Sequence, residues 1–164
     1  MEPRDLSNHR PNVGVVLFNC DGLVWLGRRV DTPPPHNWQF PQGGVDDGED
    51  LFEAALRELE EETGVSSVEY LGRTEGWIPY DFPPELAASP RARGWAGQKQ
   101  AWFALRFCGD DAEIRLDAHE KPEFDRWRWA RLEEAPNLVV PFKHEVYQEL
   151  VRRFAALGAP AASS

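Results

Sequence analysis

The sequence predicts a layered sandwich of the α/β or α+β class, folded as one domain. Three observations carry this. Short β-rich apolar runs recur along the chain, two segments carry apolar residues at helical spacing, and 164 residues suit a single compact core. Forty-one per cent of residues are hydrophobic and seven are Trp, enough apolar area to build that core without disulfides.

The elements follow in chain order. Residues 1–9 are polar, lack the apolar run of a secretion signal, and read as a flexible N-terminus ahead of a domain spanning 10–157. Val13–Phe18 (VGVVLF) and Leu23–Leu26 are strands, and the Asn19-Cys20-Asp21-Gly22 turn between them makes a hairpin. Asp31–Asn37 holds three consecutive prolines and must be a loop. A helix of about four turns follows within Gly43–Val65. Val68–Leu71 is a strand. Gly76–Gly97, with four prolines and three glycines, reads as a long irregular loop, and such loops in compact domains are usually functional. Gln100–Phe107 and Phe124–Trp129 are strands with partial alternation. Phe142–Leu157 is a helix, with Val146, Tyr147, Leu150, Val151, Phe154 and Leu157 on one face. The small-residue tail Gly158–Ser164 is expected to be disordered.

The formal net charge of −10 argues against a general nucleic-acid binder, because phosphates repel an acidic surface. The charge is uneven, however. Between Gly43 and Gly64 lie nine carboxylates (Asp46, Asp47, Glu49, Asp50, Glu53, Glu58, Glu60, Glu61, Glu62) against one base, Arg57. Bound divalent metals would cancel much of that local excess. No run approaches the roughly 18 apolar residues that span a membrane, so the protein is expected to be soluble and cytoplasmic. Cys20 and Cys108 lie far apart without CxxC or Cys/His spacing, and read as two buried thiols in a reducing compartment. His9, His36, His119 and His144 show no metal-ligand spacing, and no obligate protein partner is implied.

Within the acidic segment, Asp50 followed three residues later by Glu53 starts a helix, and Gly64 stops it. At 100° per residue, Phe52, Ala55, Leu56, Leu59 and Thr63 share one narrow arc, the core face. Glu58, Glu61 and Glu62 stand at i, i+3 and i+4 on roughly the opposite face. Glu60 points elsewhere, and Glu53 and Arg57 are spaced for an ion pair. A crowded oxygen-rich face suits hard cations such as Mg²⁺ or Mn²⁺, although a solvated acidic face has the same residues.

The flanks discriminate. The segment resembles the Nudix hydrolase family at each defined position of G-x5-E-x7-R-E-U-x-E-E-x-G-U: here Gly43, Glu49, Arg57, Glu58, Leu59, Glu61, Glu62, Gly64 and Val65. The resemblance implies an α/β/α sandwich with a mixed β-sheet and a catalytic loop–helix–loop at 43–64. By position it makes Glu58, Glu61 and Glu62 metal ligands and gives Glu49 and Arg57 supporting roles. The stretches RPNVGVV, WQFPQGGV, GQKQAWF, PEFDRWRW and VPFKHEVY are similar to the bacterial RNA pyrophosphohydrolase subfamily, also described as dinucleoside polyphosphate hydrolases. The loop Asp31–Asn37 looks longer than in the best-known members. GWIPYDFP is closer to variants described as diadenosine polyphosphate hydrolases.

The implied reaction is attack of water on phosphorus of a 5′-polyphosphate. The candidate substrates are 5′-triphosphate RNA, which would lose pyrophosphate, or a dinucleoside polyphosphate such as diadenosine tetraphosphate cut at the same site. Two or more Mg²⁺ or Mn²⁺ ions would neutralise charge and acidify water. The general base is Glu61, Glu62 or Glu123, the last matching a family position that completes the metal site. Gly43 and Gly44 border the substrate. Arg10 and Arg29 match positions that touch the 5′ end of RNA, and Phe142 one on which a base stacks. Lys99, between Gln98 and Gln100, is in reach of a phosphate. Each has a plainer reading: Glu123 and Arg29 as strand-end charges, Phe142 as core. A non-catalytic nucleotide sensor is the third alternative, but such domains usually lack box carboxylates and here none is missing.

Overall fold

The computed structural model describes residues 5–117 and 121–160, so the expectations for residues 1–4, His119 and 161–164 fall outside the described residues. The strands are β1 (His9–Phe18), β2 (Val24–Arg29), β3 (Trp38–Gln39), β4 (Gln42–Gly44), β5 (Val68–Arg73), β6 (Ile78–Asp81), β7 (Gly97–Phe107) and β8 (Phe124–Ala130). The α-helices are α1 (Leu51–Thr63), α2 (Pro84–Ala87) and α3 (His144–Phe154). The strands form one mixed sheet with the order β3-β2-β1-β7-β5; β4 pairs with β1, β6 with β7 and β8 with β2. Only β1 and β7 run parallel among these pairs.

Alternation along β1 and β7 explains the layers. Val13, Val15 and Leu17 of β1, with Ala101, Phe103 and Leu105 of β7, face α1 through Ala54, Ala55 and Leu59. Val16, Phe18, Trp102 and Ala104 face the other way, onto Val146, Tyr147, Leu150 and Phe154 of α3. A strand buried on both faces must be apolar at nearly every position, which is why VGVVLF shows no alternation in sequence. The result is the α/β/α sandwich. Gly14 is needed there, because a Cβ would lie 2.4 Å from the Trp102 ring.

The β1–β2 hairpin forms as expected, with Asn19 Oδ1 accepting the N–H groups of Asp21 and Leu23. Cys20 sits in this turn and is exposed, as is Cys108 just beyond β7. The expectation of two buried thiols is thus corrected: turn position overrides the usual preference of cysteine for the interior. The segment from Gly76 to Gly97 is not irregular. It contains β6, the single turn α2 and a 3₁₀ turn at Pro90–Ala92. Its prolines obscured this, since Pro79 is tolerated on a strand that pairs on one side only, and Pro84 and Pro90 open their helical turns.

Both ends also differ from expectation. His9 belongs to β1, pairs with Gly97 and is buried against Asp81 at 2.7 Å. α3 starts at His144 after a 3₁₀ turn at Pro141–Lys143, and Leu157 is exposed. Gly158 is buried, and a Cβ on it would lie 1.9 Å from the Phe18 ring. Arg106 fastens this end, donating to the carbonyls of Asn19 (2.7 Å), Gly158 (3.2 Å) and Ala159 (2.9 Å). A contact 52 residues away carries no local sequence signal. Arg106→Ala is expected to lower unfolding stability by about 1–2 kcal/mol, the scale of losing charge-assisted bonds. Urea unfolding measures this, and an unmoved midpoint would mean that the docked end contributes nothing.

Candidate active site

α1 stands where its caps place it. Asp50 accepts the N–H of Glu53 at 3.1 Å, and Gly64, at φ 78°, ends the helix with its N–H on the carbonyl of Glu60. Inward packing of Ala54, Ala55, Leu59 and Thr63 aims the acidic face at the loop containing β4. Ala54 is a buried position the helical arc did not include. Glu60 is exposed, as its angular position required.

Arg57 organises that face. Its guanidinium makes a two-pronged pair with Glu49 (2.8 and 2.9 Å) and donates to the carbonyl of Gly44 at 3.0 Å. It also reaches Glu58 at 2.9 Å and Glu61 at 3.3 Å. The expected pair with Glu53 is corrected: the preceding loop folds back to supply Glu49 instead. Hydrogen bonds from Arg57, and then from the backbone of Asp46, hold Glu49 at a pKa of about 2.

Glu58 and Glu62 are shifted upward. Burial pushes Glu58 to about 7, with Glu61 and Glu123 adding repulsion against the pull of Arg57. Burial also raises Glu62 well above the ordinary range, with Glu58 and Glu123 adding to it. Glu62 accepts the backbone N–H of Gln42 at 3.1 Å. Gly43 is pressed against Glu58: a Cβ there would lie 2.0 Å from the carboxyl carbon. Glu123 immediately precedes β8, stays exposed, and faces Arg29 at 3.7 Å.

Crowded carboxylates with too little neighbouring positive charge fit a hard divalent cation by donor chemistry. Glu58, Glu61, Glu62 and Glu123 are the residues that could hold it. Among the described residues, however, no three His, Cys, Asp or Glu side chains already close on a common point. Arg57 draws Glu58 and Glu61 to itself instead.

Beside the cluster is a cavity of about 260 Å³. It brings together Arg10, Arg29, Gly43, Gly44, Glu123 and Phe142, residues singled out from sequence positions as far apart as both ends of the domain. Lys99 is the exception. Its Nζ lies 5.2 Å from the Trp77 ring centre, and strand alternation turns Gln98 to the cavity in its place. Phe142 packs against Tyr80 at a centroid distance of 5.8 Å.

Lys143, Gln39, Gln42, Tyr80 and Arg91 also line this cavity and were not anticipated. Lys143 is buried, with Nζ donating to Gln39 (3.1 Å) and Gln42 (3.2 Å). Burial, and then the charge of Arg29, bring its pKa down to about 7 against the pull of Glu123 and Glu62. One signal was available: Lys143 precedes the N-terminus of a helix, where the helix dipole disfavours cations. Beneath it, Gln100 donates to Asn12 at 2.8 Å and accepts from the Trp102 indole at 3.1 Å, fixing the cavity floor.

A family model for the NUDIX domain matches residues 8–150. A protein of Caulobacter vibrioides named RNA pyrophosphohydrolase is 66% identical over 155 residues, covering 94% of this chain and 90% of that one. A protein of the same name from Acidiphilium cryptum is 52% identical over 149 residues, covering 90% of each. Among solved structures, an Ap4A hydrolase of C. elegans in a binary complex superposes with a TM-score of 0.63 at 20% identity, covering 90% of this chain and 98% of that one. That last likeness is one of fold.

Proposed function

Because this chain belongs to the Nudix family, we propose that it removes pyrophosphate from the 5′-triphosphate end of RNA, with water attacking phosphorus to leave a 5′-monophosphate. The observation that supports this most is the cavity, in which Arg10, Arg29 and Phe142 meet beside the acidic face of α1. It combines cations for phosphate, an aromatic ring for a base and carboxylates for metal in one place.

Nudix hydrolases use divalent metal ions, and we assign two or more Mg²⁺ or Mn²⁺ to Glu58, Glu61, Glu62 and Glu123. When bound, the ions supply positive charge for phosphoryl transfer and acidify water. The chain does the rest by positioning. Arg57 locks the β4 loop to α1 through Glu49 and the Gly44 carbonyl. Arg10 and Arg29 hold the polyphosphate, and Phe142 receives an unpaired base. The proton of the attacking water goes to Glu61, Glu62 or Glu123. No helix among the described residues is long and apolar enough to cross a membrane, and the proposed place of action is the cytoplasm.

A protein of net charge −10 cannot grip a long phosphate backbone, because sequence-independent affinity comes from neutralising many phosphates. A short 5′-triphosphate RNA should therefore be processed about as well as a long one, with a shallow salt dependence. A blunt hairpin, whose first bases cannot reach Phe142, should be slower. Phe142→Ala should raise KM for RNA by about 5- to 150-fold, the scale of one lost base stack, while the protein stays folded. Matched short, long and blunt-ended substrates, with diadenosine tetraphosphate in parallel, test this. Much faster cleavage of the dinucleotide than of every RNA would replace RNA as the substrate. A strong gain with RNA length would mean an extended groove. Unfolding of Phe142→Ala would make that residue core.

A further inference from the structure

Asp31 and Arg91 come from two segments that the acidic helix does not organise. Asp31 begins the proline loop between β2 and β3, and Arg91 lies in the 3₁₀ turn between β6 and β7. They meet behind the cavity wall formed by Arg29 and Arg91, where one carboxylate oxygen of Asp31 accepts from both guanidinium groups: Arg29 at 2.9 Å and Arg91 at 3.2 Å. Arg29 is well covered and braced by Gln39 at 3.3 Å, whereas the Arg91 side chain is 70% exposed. Both arginines line the cavity that holds Arg10 and Phe142.

A fastening role does not account for this geometry. An ion pair this exposed contributes little to folding, and the segment carrying Arg91 is already anchored. Ala92 beside it is buried, and backbone bonds run from Phe82 to Ala96 and from Ala96 to Asn8. Asp31 sets two like charges side by side, and the second carboxylate nearby, Glu123 at 3.7 Å, faces Arg29 and not Arg91. A guanidinium has five N–H donors. Among the described residues Arg91 gives a side-chain donor only to Asp31, so a planar fork suited to a phosphate remains at the cavity mouth.

We propose that Arg91 binds a phosphate of the substrate directly, with Asp31 as the positioning residue that sets it beside Arg29. This rests on the cavity being the 5′-polyphosphate site proposed above. The contact serves binding and not the chemical step, since among the described residues the guanidinium of Arg91 bonds to Asp31 and to none of the helical carboxylates. The proline loop thereby delivers an acceptor to a cation sixty residues further along.

The test compares the intact wild-type protein with Arg91→Ala, Arg91→Lys and Asp31→Asn. Steady-state turnover of a short 5′-triphosphate RNA with Mg²⁺ is one arm. Calorimetric binding of inorganic tripolyphosphate without divalent metal is the other. Arg91→Ala should raise KM about 10-fold and weaken tripolyphosphate similarly, the scale of a lost charge-assisted contact, with kcat within about 2-fold. Arg91→Lys should recover part of the loss, and Asp31→Asn should raise KM less than Arg91→Ala does. Equal losses in Asp31→Asn and Arg91→Ala, with Tm lowered in both, would make the pair a fastener and overturn the proposal. So would normal RNA turnover and tripolyphosphate affinity in Arg91→Ala, which leaves the RNA assignment standing. If wild type fails to turn over RNA while its tripolyphosphate affinity still depends on Arg91, the RNA assignment falls and the phosphate contact stands. Loss of both signals in wild type overturns both.

Discussion

Glu61→Gln is expected to lower kcat by about 10²-fold or more, the scale of losing one preorganised electrostatic partner, while the fold stays intact. The side chain is 36% exposed and holds Arg57 only at 3.3 Å, so little packing depends on it. Gln keeps the size and helix propensity of Glu and removes only the charge. Glu60→Gln is the matched control. Its side chain is exposed and leaves the acidic face by helical geometry, so kcat should stay near wild type. Turnover at saturating Mg²⁺, with thermal midpoints for both variants, decides the matter. Equal damage from the two would mean that the helix faces are assigned wrongly.

Gly43→Ala should be comparably damaging for a different reason. The added methyl would stand 2.0 Å from the carboxyl carbon of Glu58, far inside contact distance. Glu58 ends a flexible side chain and can swing aside, so the protein should fold. It would then leave its 2.9 Å bond to Arg57 and its place among the carboxylates. Loss of a positioned carboxylate is again worth about 10²-fold in kcat, with KM changed less. Gly44→Ala tests the neighbour: its methyl would approach Arg10 at 2.9 Å, a side chain able to yield, so KM should respond more than kcat. Full activity in Gly43→Ala would show that Glu58 need not occupy the position seen here.

Local chemistry in the sequence was legible where the structure is local. Asp50, Gly64 and the core arc of α1 follow from capping and the helical period alone. Phe103 and Leu105 read as strand through partial alternation, and burial on both faces is why that alternation is incomplete. The residues meeting in the cavity were indicated through positions of a motif and its flanking stretches, not through geometry that Arg10 or Phe142 reveals by itself. What stayed hidden depends on contacts distant in sequence. Glu53 was the nearer partner for Arg57 by spacing, yet a loop fold made Glu49 the real one. Lys99 and Gln98 are adjacent, and only strand phase decides which faces the cavity. Lys143 needed Gln39 and Gln42, about a hundred residues earlier, to become a buried cation. The β6–α2 region hid behind prolines that serve as starts and edges.

The parallel pairing of β1 with β7 has a consequence for how the chain acquires this structure. Asn12 meets Gln100 across 88 residues, so the centre of the sheet forms only after a long loop has closed. Such closure loses chain entropy before any contact rewards it, which places folding among the slower single domains. During synthesis, β1 and β2 emerge early as a hairpin whose inner edge has no neighbour until Gly97–Phe107 appears. VGVVLF is an apolar, uncharged edge for all that time, the kind of segment that joins other chains when left open. The acidic helix shares this fate. It packs on Phe103 and Leu105 as well as on β1, so the segment most recognisable in sequence rests on a surface completed late, and a fragment ending before β7 would carry the motif without the floor that shapes it.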